Sequence, residues 1–406
     1  MILWRRNLVV CWVGMFITAI GMSQIAPILP LYVNHLGVHN INNIEQISGI
    51  AFGVTFIVSA IFSPIWGKAA DKFGRKPMLL RASFGMAIVI GSCGFATNIY
   101  ELIGLRLLQG VITGYTTACI TLIATQADKD HAGWALGTLS TASVSGALLG
   151  PIIGGAIDEL IGPQGVFFLT GSLMAVVFIA TLIFVKEDFK RSDKKVMSTK
   201  EVWSILPDKM IIIIMFITAF IVQLALYSIE PIVTVYIKQL SKSASHIALI
   251  SGLAFSASGF ASIISAPRLG KLSDKIGARK VILGSLIAAA IFYVPQAFVS
   301  TPWQLMGLRF LLGLATAGLI PSVNTLVKKL SPEAVTGRIF GYSMSAQYLG
   351  TFSGSVFGGQ LASHFGIRSV FLSTSALLLL NAIWVYKMVY KKLAKKYDNG
   401  TFQQCS

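Results

Sequence analysis

Long apolar runs follow one another along the chain with short polar breaks between them. A helix crossing the roughly 30 Å hydrocarbon layer needs about twenty such residues. On that measure helices are predicted at 8–33, 46–66, 78–96, 99–124, 134–157, 164–185, 209–237, 246–268, 280–298, 302–326, 337–361 and 368–389. A membrane strand would show about ten residues of period-two alternation, and no such pattern occurs. Arg5 and Arg6 precede the first run as they would in a signal peptide. That run, from Leu8 to about Leu31, has spanning length, so a retained membrane helix is expected.

Composition agrees with lipid as the solvent. Only 12% of residues are charged, against roughly 25% in soluble domains. Mean hydropathy is +0.73. A net charge of +17 would ordinarily suggest nucleic acid as a partner. Here the basic residues lie in loops between apolar runs, and no nucleic-acid partner is expected. Of the 33 lysines and arginines, 28 fall in segments on one side of the predicted membrane and three in loops on the other. Arg106 and Arg309 remain inside spans. The positive-inside rule then places both termini in the cytoplasm of a multi-pass cell-membrane protein. Three of the four cysteines (Cys11, Cys93, Cys119) lie in apolar runs and Cys405 lies in the tail, so no disulfide framework is indicated. The five histidines show no metal spacing, and no nucleotide-binding loop occurs. No cofactor and no enzymatic activity are expected, and an ion gradient must supply the energy.

The chain is two copies of one unit. Gly67, Asp71 and Gly74 recur 203 residues later at Gly270, Asp274 and Gly277, and Arg106 and Gly110 recur at Arg309 and Gly313. At an offset of 204, Gly146, Gly150, Gly154 and Gly155 recur at Gly350, Gly354, Gly358 and Gly359. Parallel repeats of this kind build transporters whose halves are related by an axis along the membrane normal. The expected fold is an all-α integral membrane protein: twelve transmembrane helices in two pseudo-symmetric six-helix bundles. Its parts are an N-terminal bundle over 1–185, a cytoplasmic linker over 186–208, a C-terminal bundle over 209–390 and a cytoplasmic tail over 391–406.

The loop between spans 2 and 3 carries Gly67, Asp71, Gly74, Arg75, Lys76 and Pro77. A hairpin needs only a turn there, so a carboxylate among basic residues points to a further task. Asp71 can face the positive N-terminus of a neighbouring helix, and Arg75 can pair with Asp128 or Asp130 at the inner end of span 4. A solvated basic loop is the plainer reading, and recurrence at Asp274 weighs against it. Span 5 reads Gly146-Ala-Leu-Leu-Gly150-Pro151-Ile-Ile-Gly154-Gly155. Glycines four apart let a partner backbone approach closely, and Pro151 removes a helical hydrogen bond. A bending face packed tightly on another helix suits a rocking interface.

These segments resemble the signature motifs of the major facilitator superfamily. The span 2–3 loop is similar to its Gly-x-x-x-Asp-x-x-Gly-Arg-Lys motif, Leu105–Gly110 to its span-4 arginine motif, and Gly146–Gly155 to its antiporter motif. The resemblance covers the whole chain and is nearest to twelve-span drug:proton antiporters such as the quinolone and multidrug exporters of Gram-positive bacteria. It implies a bacterial secondary transporter that exchanges protons for amphipathic drugs by alternating access, working as a monomer in the lipid bilayer. Two departures stand out: Trp134 occupies the place of Arg338 in the second half, and Ser355 the place of Pro151.

Arg106 lies inside span 4, and a buried arginine usually faces a cavity or a partner; snorkelling to the outer surface is the alternative. The resemblance places it in a proton relay. Glu230 is the clear carboxylate within the body of a span, whereas Glu45, Glu101, Asp158 and Glu159 read as wetted outer helix ends. Helical spacing puts Gln223, Tyr227 and Glu230 on one face of span 7. A carboxylate in an apolar cavity can carry a proton near neutral pH; pairing with Lys238 at the outer mouth is the other reading. The resemblance implies a cavity lined from spans 1, 4, 10 and 11, with Gln24, Gln109, Asn324 and Gln347 as polar groups, and Gln223 and Tyr227 are further cavity candidates. Tyr115, Phe220, Tyr342, Tyr348 and Phe352 are candidate aromatic walls. A sugar or metabolite transporter is the competing function, and a membrane-embedded enzyme or a channel is a remote one.

Overall fold

The computed structural model describes residues 3–128, 131–187, 199–241 and 246–390. The expected tail at 391–406 and residues 188–198 of the expected linker lie outside the described residues. Among the described residues every regular element is helical. Span 1 is Leu3–Ser23 continued by Ile25–His35, span 2 is Ile41–Phe73 and span 3 is Arg75–Cys93. Span 4 has two pieces, Ile99–Ile112 and Tyr115–Gln126. Spans 5 and 6 share Ala132–Phe184, which breaks at Gly162, where φ is 77° and ψ is 173°. After a short helix at Thr199–Ile205, span 7 runs as Lys209–Tyr227, a 3-10 turn Glu230–Ile232, and Val233–Leu240. Spans 8 and 9 are Ile247–Ile276 and Ala278–Gln296. Span 10 is Pro302–Thr316 with Leu319–Leu330, span 11 is Glu333–Phe365 and span 12 is Ile367–Val385.

Nine stretches among the described residues have the length and hydropathy of a membrane crossing, and one of them, Trp134–Phe184, contains both spans 5 and 6. Spans 3 and 11 complete the twelve. Each is less apolar for a visible reason. Span 3 carries Arg75, Lys76 and Arg81 in 19 residues, and span 11 is rich in glycine and serine.

By contact the chain forms two units, one of Met1–Asp193 with Glu230–Ser256 and one of Lys194–Ile229 with Ala257–Ser406. Packing thus divides spans 7 and 8 partway along, at Ile229 and Ser256, and assigns Glu230–Ser256 to the first unit.

Within each unit the repeat folds in the same way. Gly74 and Gly277 join spans 2–3 and 8–9 with φ of 95° and 93°, and Gly162 and Gly366 join spans 5–6 and 11–12 with φ of 77° and 79°. These are left-handed backbones that favour glycine. Side-chain contacts repeat as well. Gln24 of span 1 donates to Thr170 of span 6, and 204 residues later Ser228 of span 7 meets Thr374 of span 12 at 2.9 Å. Ser59 Oγ donates to the Gly110 carbonyl at 3.3 Å, and Ser262 Oγ to the Gly313 carbonyl at 3.3 Å.

Candidate functional site

Span 5 uses two faces. On one, a Cβ added at Gly146 would stand 2.6 Å from the Phe16 carbonyl, at Gly150 2.8 Å from the Ile20 carbonyl, and at Gly154 2.6 Å from Gln24 Cβ. That face holds span 1 at backbone distance. The other face meets span 8: a Cβ at Gly155 would stand 2.6 Å from the Ala248 carbonyl, Gly252 lies against Pro151, and Ser256 Oγ donates to the Leu148 carbonyl at 2.6 Å. The glycine spacing is legible in the sequence. The partner stripe Ala248-x-x-x-Gly252-x-x-x-Ser256 went unread, although its small residues also recur every four positions. In the second unit Gly350, Gly354 and Gly358 of span 11 press in the same way on the carbonyls of Phe220, Leu224 and Ser228.

Arg106 is 1% exposed, so it does not snorkel. Its Nε donates to the Ala51 carbonyl of span 2 at 3.1 Å, and its Nη1 donates to Gln109 Oε1 at 2.6 Å. Thr55 Oγ1 donates to the Arg106 carbonyl at 3.0 Å, and Gln109 Nε2 lies 3.4 Å from Met22 Sδ. Spans 2 and 4 therefore hold the buried guanidinium, and span 1 meets its partner Gln109. One turn beyond Gln109 the helix of span 4 breaks at Thr113–Gly114, which frees backbone carbonyls. Trp66 Nε1 donates to Val111 at 2.6 Å, and Arg81 Nη2 donates to Ile112 at 3.2 Å and to Thr113 at 2.7 Å, with its guanidinium 3.6 Å over the Trp66 ring. The sequence reading missed Arg81 and Trp66; an arginine two turns inside span 3 was their signal.

The cavity candidates separate into two groups. Gln24 is buried with Oε1 unpartnered, and Gln223 Nε2 donates to Gln347 Oε1 at 3.3 Å. Asn324 keeps a buried Oδ1 without a partner among the described residues. Phe220, Tyr348 and Phe352 are half-buried. Tyr115 instead belongs to the packed core of the first unit, closed over Gly14 with its hydroxyl 3.3 Å from Thr181 Oγ1. Tyr342 stacks on Trp203 of the short helix Thr199–Ile205, ring centroids 6.3 Å apart.

Span 7 corrects a predicted face. Its helix ends at Tyr227, and Glu230 opens a 3-10 turn, so the spacing from Gln223 through Tyr227 does not carry on to Glu230. Glu230 is half-buried. Glu45 is a second correction. Expected as a wetted helix end, it is 2% exposed.

At the basic end Gly74 ends span 2 and opens span 3 without a side-chain cap. The anion at that helix start is Glu187, just after span 6: its Oε1 accepts from Arg75 N at 2.8 Å and its Oε2 from Lys76 N at 2.7 Å. Asn7 holds the preceding residue, accepting from Lys186 N at 3.1 Å and donating to its carbonyl at 2.7 Å. Asn7 also donates to Gln126 Oε1 at 2.7 Å. A strap from span 6 is thereby pinned to spans 1, 3 and 4. The side chains of Asp71 and Asp274, and all of Asp130, lie outside the described residues. Asp128 is exposed and pairs with His131 at 3.9 Å rather than with Arg75. Arg75 Nη1 donates to the Ala70 carbonyl. Among the described residues nothing lies within 4 Å of a Cβ added at Gly67. Trp134 is 62% exposed and meets Trp4 edge-on at 6.4 Å.

The Major Facilitator Superfamily model matches residues 11–249 and 215–402. A protein of Proteus mirabilis named multidrug resistance protein MdtG is 45% identical over 94% of this chain and 95% of its own length. Its namesake in Salmonella arizonae is 43% identical over 96% of each. Among solved structures, a bacterial homologue of the human lysosomal transporter Spinster, inward-facing and occupied, superposes with a TM-score of 0.79 at 14% identity, covering 93% of this chain and 95% of that one. The nucleoside transporter NupG gives 0.77 at 13% identity, covering 96% and 99%. These two likenesses bear on the fold.

Proposed function

This chain belongs to the Major Facilitator Superfamily, and on that premise we propose that it exports amphipathic drugs across a bacterial cell membrane in exchange for protons. The observation that carries this reading is the full-length likeness to proteins named for multidrug resistance, at 43–45% identity. The two-faced glycine surface of span 5 supports it mechanically. One face fixes span 1, and the other lets span 8 part from it when the transporter opens on that side. The excess of basic residues at the opposite end supports cytoplasmic termini, so the end carrying Glu45, Glu159 and Glu230 is the outer one. The protein acts as a monomer, with the proton gradient in place of any cofactor.

In this reading Glu230 carries the proton and Arg106 supplies the fixed charge that responds to it. Gln24, Gln109, Gln223, Asn324 and Gln347 place a few polar groups in an otherwise apolar binding cavity, as ligand sites generally do. Asp71 with Arg75 governs opening at the cytoplasmic end. Inside-out vesicles supplied with ethidium or a fluoroquinolone provide the test. Accumulation should follow an imposed proton gradient and collapse when an ionophore removes it. Equal accumulation with and without the gradient would exclude exchange.

A further inference from the structure

Glu45 stands about one turn inside the outer end of span 2. It is almost wholly buried, and among the described residues no hydrogen bond or ion pair reaches it. Ser48, the next turn on the same face, is buried with an unpartnered hydroxyl. The 3-10 turn Glu230–Ile232 packs on span 2 and on Ile25–His35 of span 1, with Pro231 and Ile232 buried. Just beyond, Thr234 Oγ1 donates to the Pro27 carbonyl at 2.8 Å, which fastens this part of span 7 to span 1.

Of the titratable groups on the elements packed against span 2, Tyr100 is exposed, Cys93 is a free buried thiol, and the others are engaged elsewhere or stand at the far end. Tyr32 of span 1 donates to the Cys93 carbonyl at 2.6 Å, and His35 lies 2.6 Å from Gln164. Glu101 of span 4 accepts from Thr97 N at 2.8 Å, and Arg106 is committed to Ala51 and Gln109. On span 3, Arg81 is held by Ile112 and Thr113, while Arg75 and Lys76 lie at the basic end. Glu230 heads the covering turn itself. No cation among these compensates a charge on Glu45.

An ionised carboxylate stripped of water and given no partner is strongly disfavoured, whereas the neutral acid can be buried. The closed arrangement therefore selects the protonated side chain. Parting the turn from span 2 returns water and lets the proton leave. We propose that Glu45 is a proton-binding site, and that the outer end of span 7 closes on spans 1 and 2 only when Glu45 is protonated. Closing the outer mouth then takes up one proton from the outer medium. The inference rests on the export reading for which end faces outside, and it adds a site on the first repeat distinct from Glu230. Because the closed form holds the extra proton, it is favoured at low outer pH. The open fraction grows as pH rises, by up to about tenfold per pH unit for one proton.

A cysteine at the neighbouring buried position reads this directly. Ser48→Cys is labelled from outside by an impermeant maleimide between pH 5.5 and 8.5, and its rate is divided by that of Asn40→Cys, an exposed position, to cancel thiol ionisation. The ratio should climb with pH in the otherwise unchanged protein. Adding Glu45→Gln, a neutral stand-in for the protonated acid, should leave the ratio low and flat, and Glu45→Asp should restore the climb. A Glu45→Gln protein that follows the parent curve overturns the proposal. If Glu45→Gln does not reach the membrane, a Glu45→Asp curve that coincides with the parent's, rather than shifting along the pH axis, overturns it instead. Drug accumulation in vesicles is measured alongside. Loss of accumulation in the parent with a Glu45-dependent labelling curve defeats the export reading alone, and a flat parent curve with intact accumulation defeats this inference alone.

Discussion

Arg106 gives an Nη1 hydrogen to Gln109 Oε1 at 2.6 Å, so these two polar side chains of span 4 form a pair one turn apart. Gln109→Leu leaves that N–H buried and unpaired. Losing a hydrogen bond to a charged group should lower stability by about 1.5–3 kcal/mol, read as a drop in the thermal midpoint of purified protein. Drug export should fall with it. An unchanged midpoint would show that the guanidinium finds another acceptor.

The glycines of span 5 and span 4 differ in what surrounds them, and substitution should show it. A side chain at Gly155 runs into the Ala248 carbonyl, whereas among the described residues nothing lies within 4 Å of a Cβ at Gly104. Gly155→Val should block closure against span 8 and abolish export while the protein still inserts. Gly104→Ala should be tolerated and can stabilise the helix by up to about 1 kcal/mol. Equal export by the two variants would remove the span 5–span 8 contact from the mechanism.

Glu187 caps the first turn of span 3 with both carboxylate oxygens. Glu187→Ala should cost about 0.5–2 kcal/mol, the usual worth of a helix cap, and Glu187→Gln less. Lys186 is exposed but its backbone is held, so releasing the strap should also speed cleavage there by trypsin. Limited digestion of membranes reports this: a cleavage rate after Lys186 that matches the parent's would argue that Asn7 alone holds the segment.

Glu230→Gln imitates the protonated carboxyl group. It should still bind neutral drugs but lose accumulation driven by the proton gradient. Cationic drugs should suffer more, since they also lose a counter-charge. Drug-induced proton release in reconstituted vesicles decides the matter, and release equal to the parent's would move the carrier to another carboxylate.

Periodic features were legible in the sequence and contingent ones were not. Twelve apolar runs and the 203–204 offset rest on local composition, and the glycine spacing of span 5 reports one helix face. Glu45 was misread because the residues around it do not show that a turn 185 positions away along the chain packs on span 2. Tyr115 looked like a cavity wall because an aromatic side chain inside a span has no local mark of direction; the bare backbone of Gly14 draws it into the core. The pair Gln24–Thr170 and its repeat Ser228–Thr374 share a place but not a chemistry, so residue matching alone does not find them. The break after Tyr227 likewise escapes a helical wheel, which assumes that the helix continues.

The contact of Leu148, Pro151 and Gly155 with Ala248, Gly252 and Ser256 is made largely of backbone and very small side chains. Its attraction is mostly dispersion, and a gap of 0.5–1 Å already forfeits about a quarter to a half of such an interaction. A half-open position is therefore poorly supported, and the pair of helices behaves as a latch that is either shut or released. For an exchanger this suppresses slippage: ions find few partly open states through which to leak without drug moving the other way.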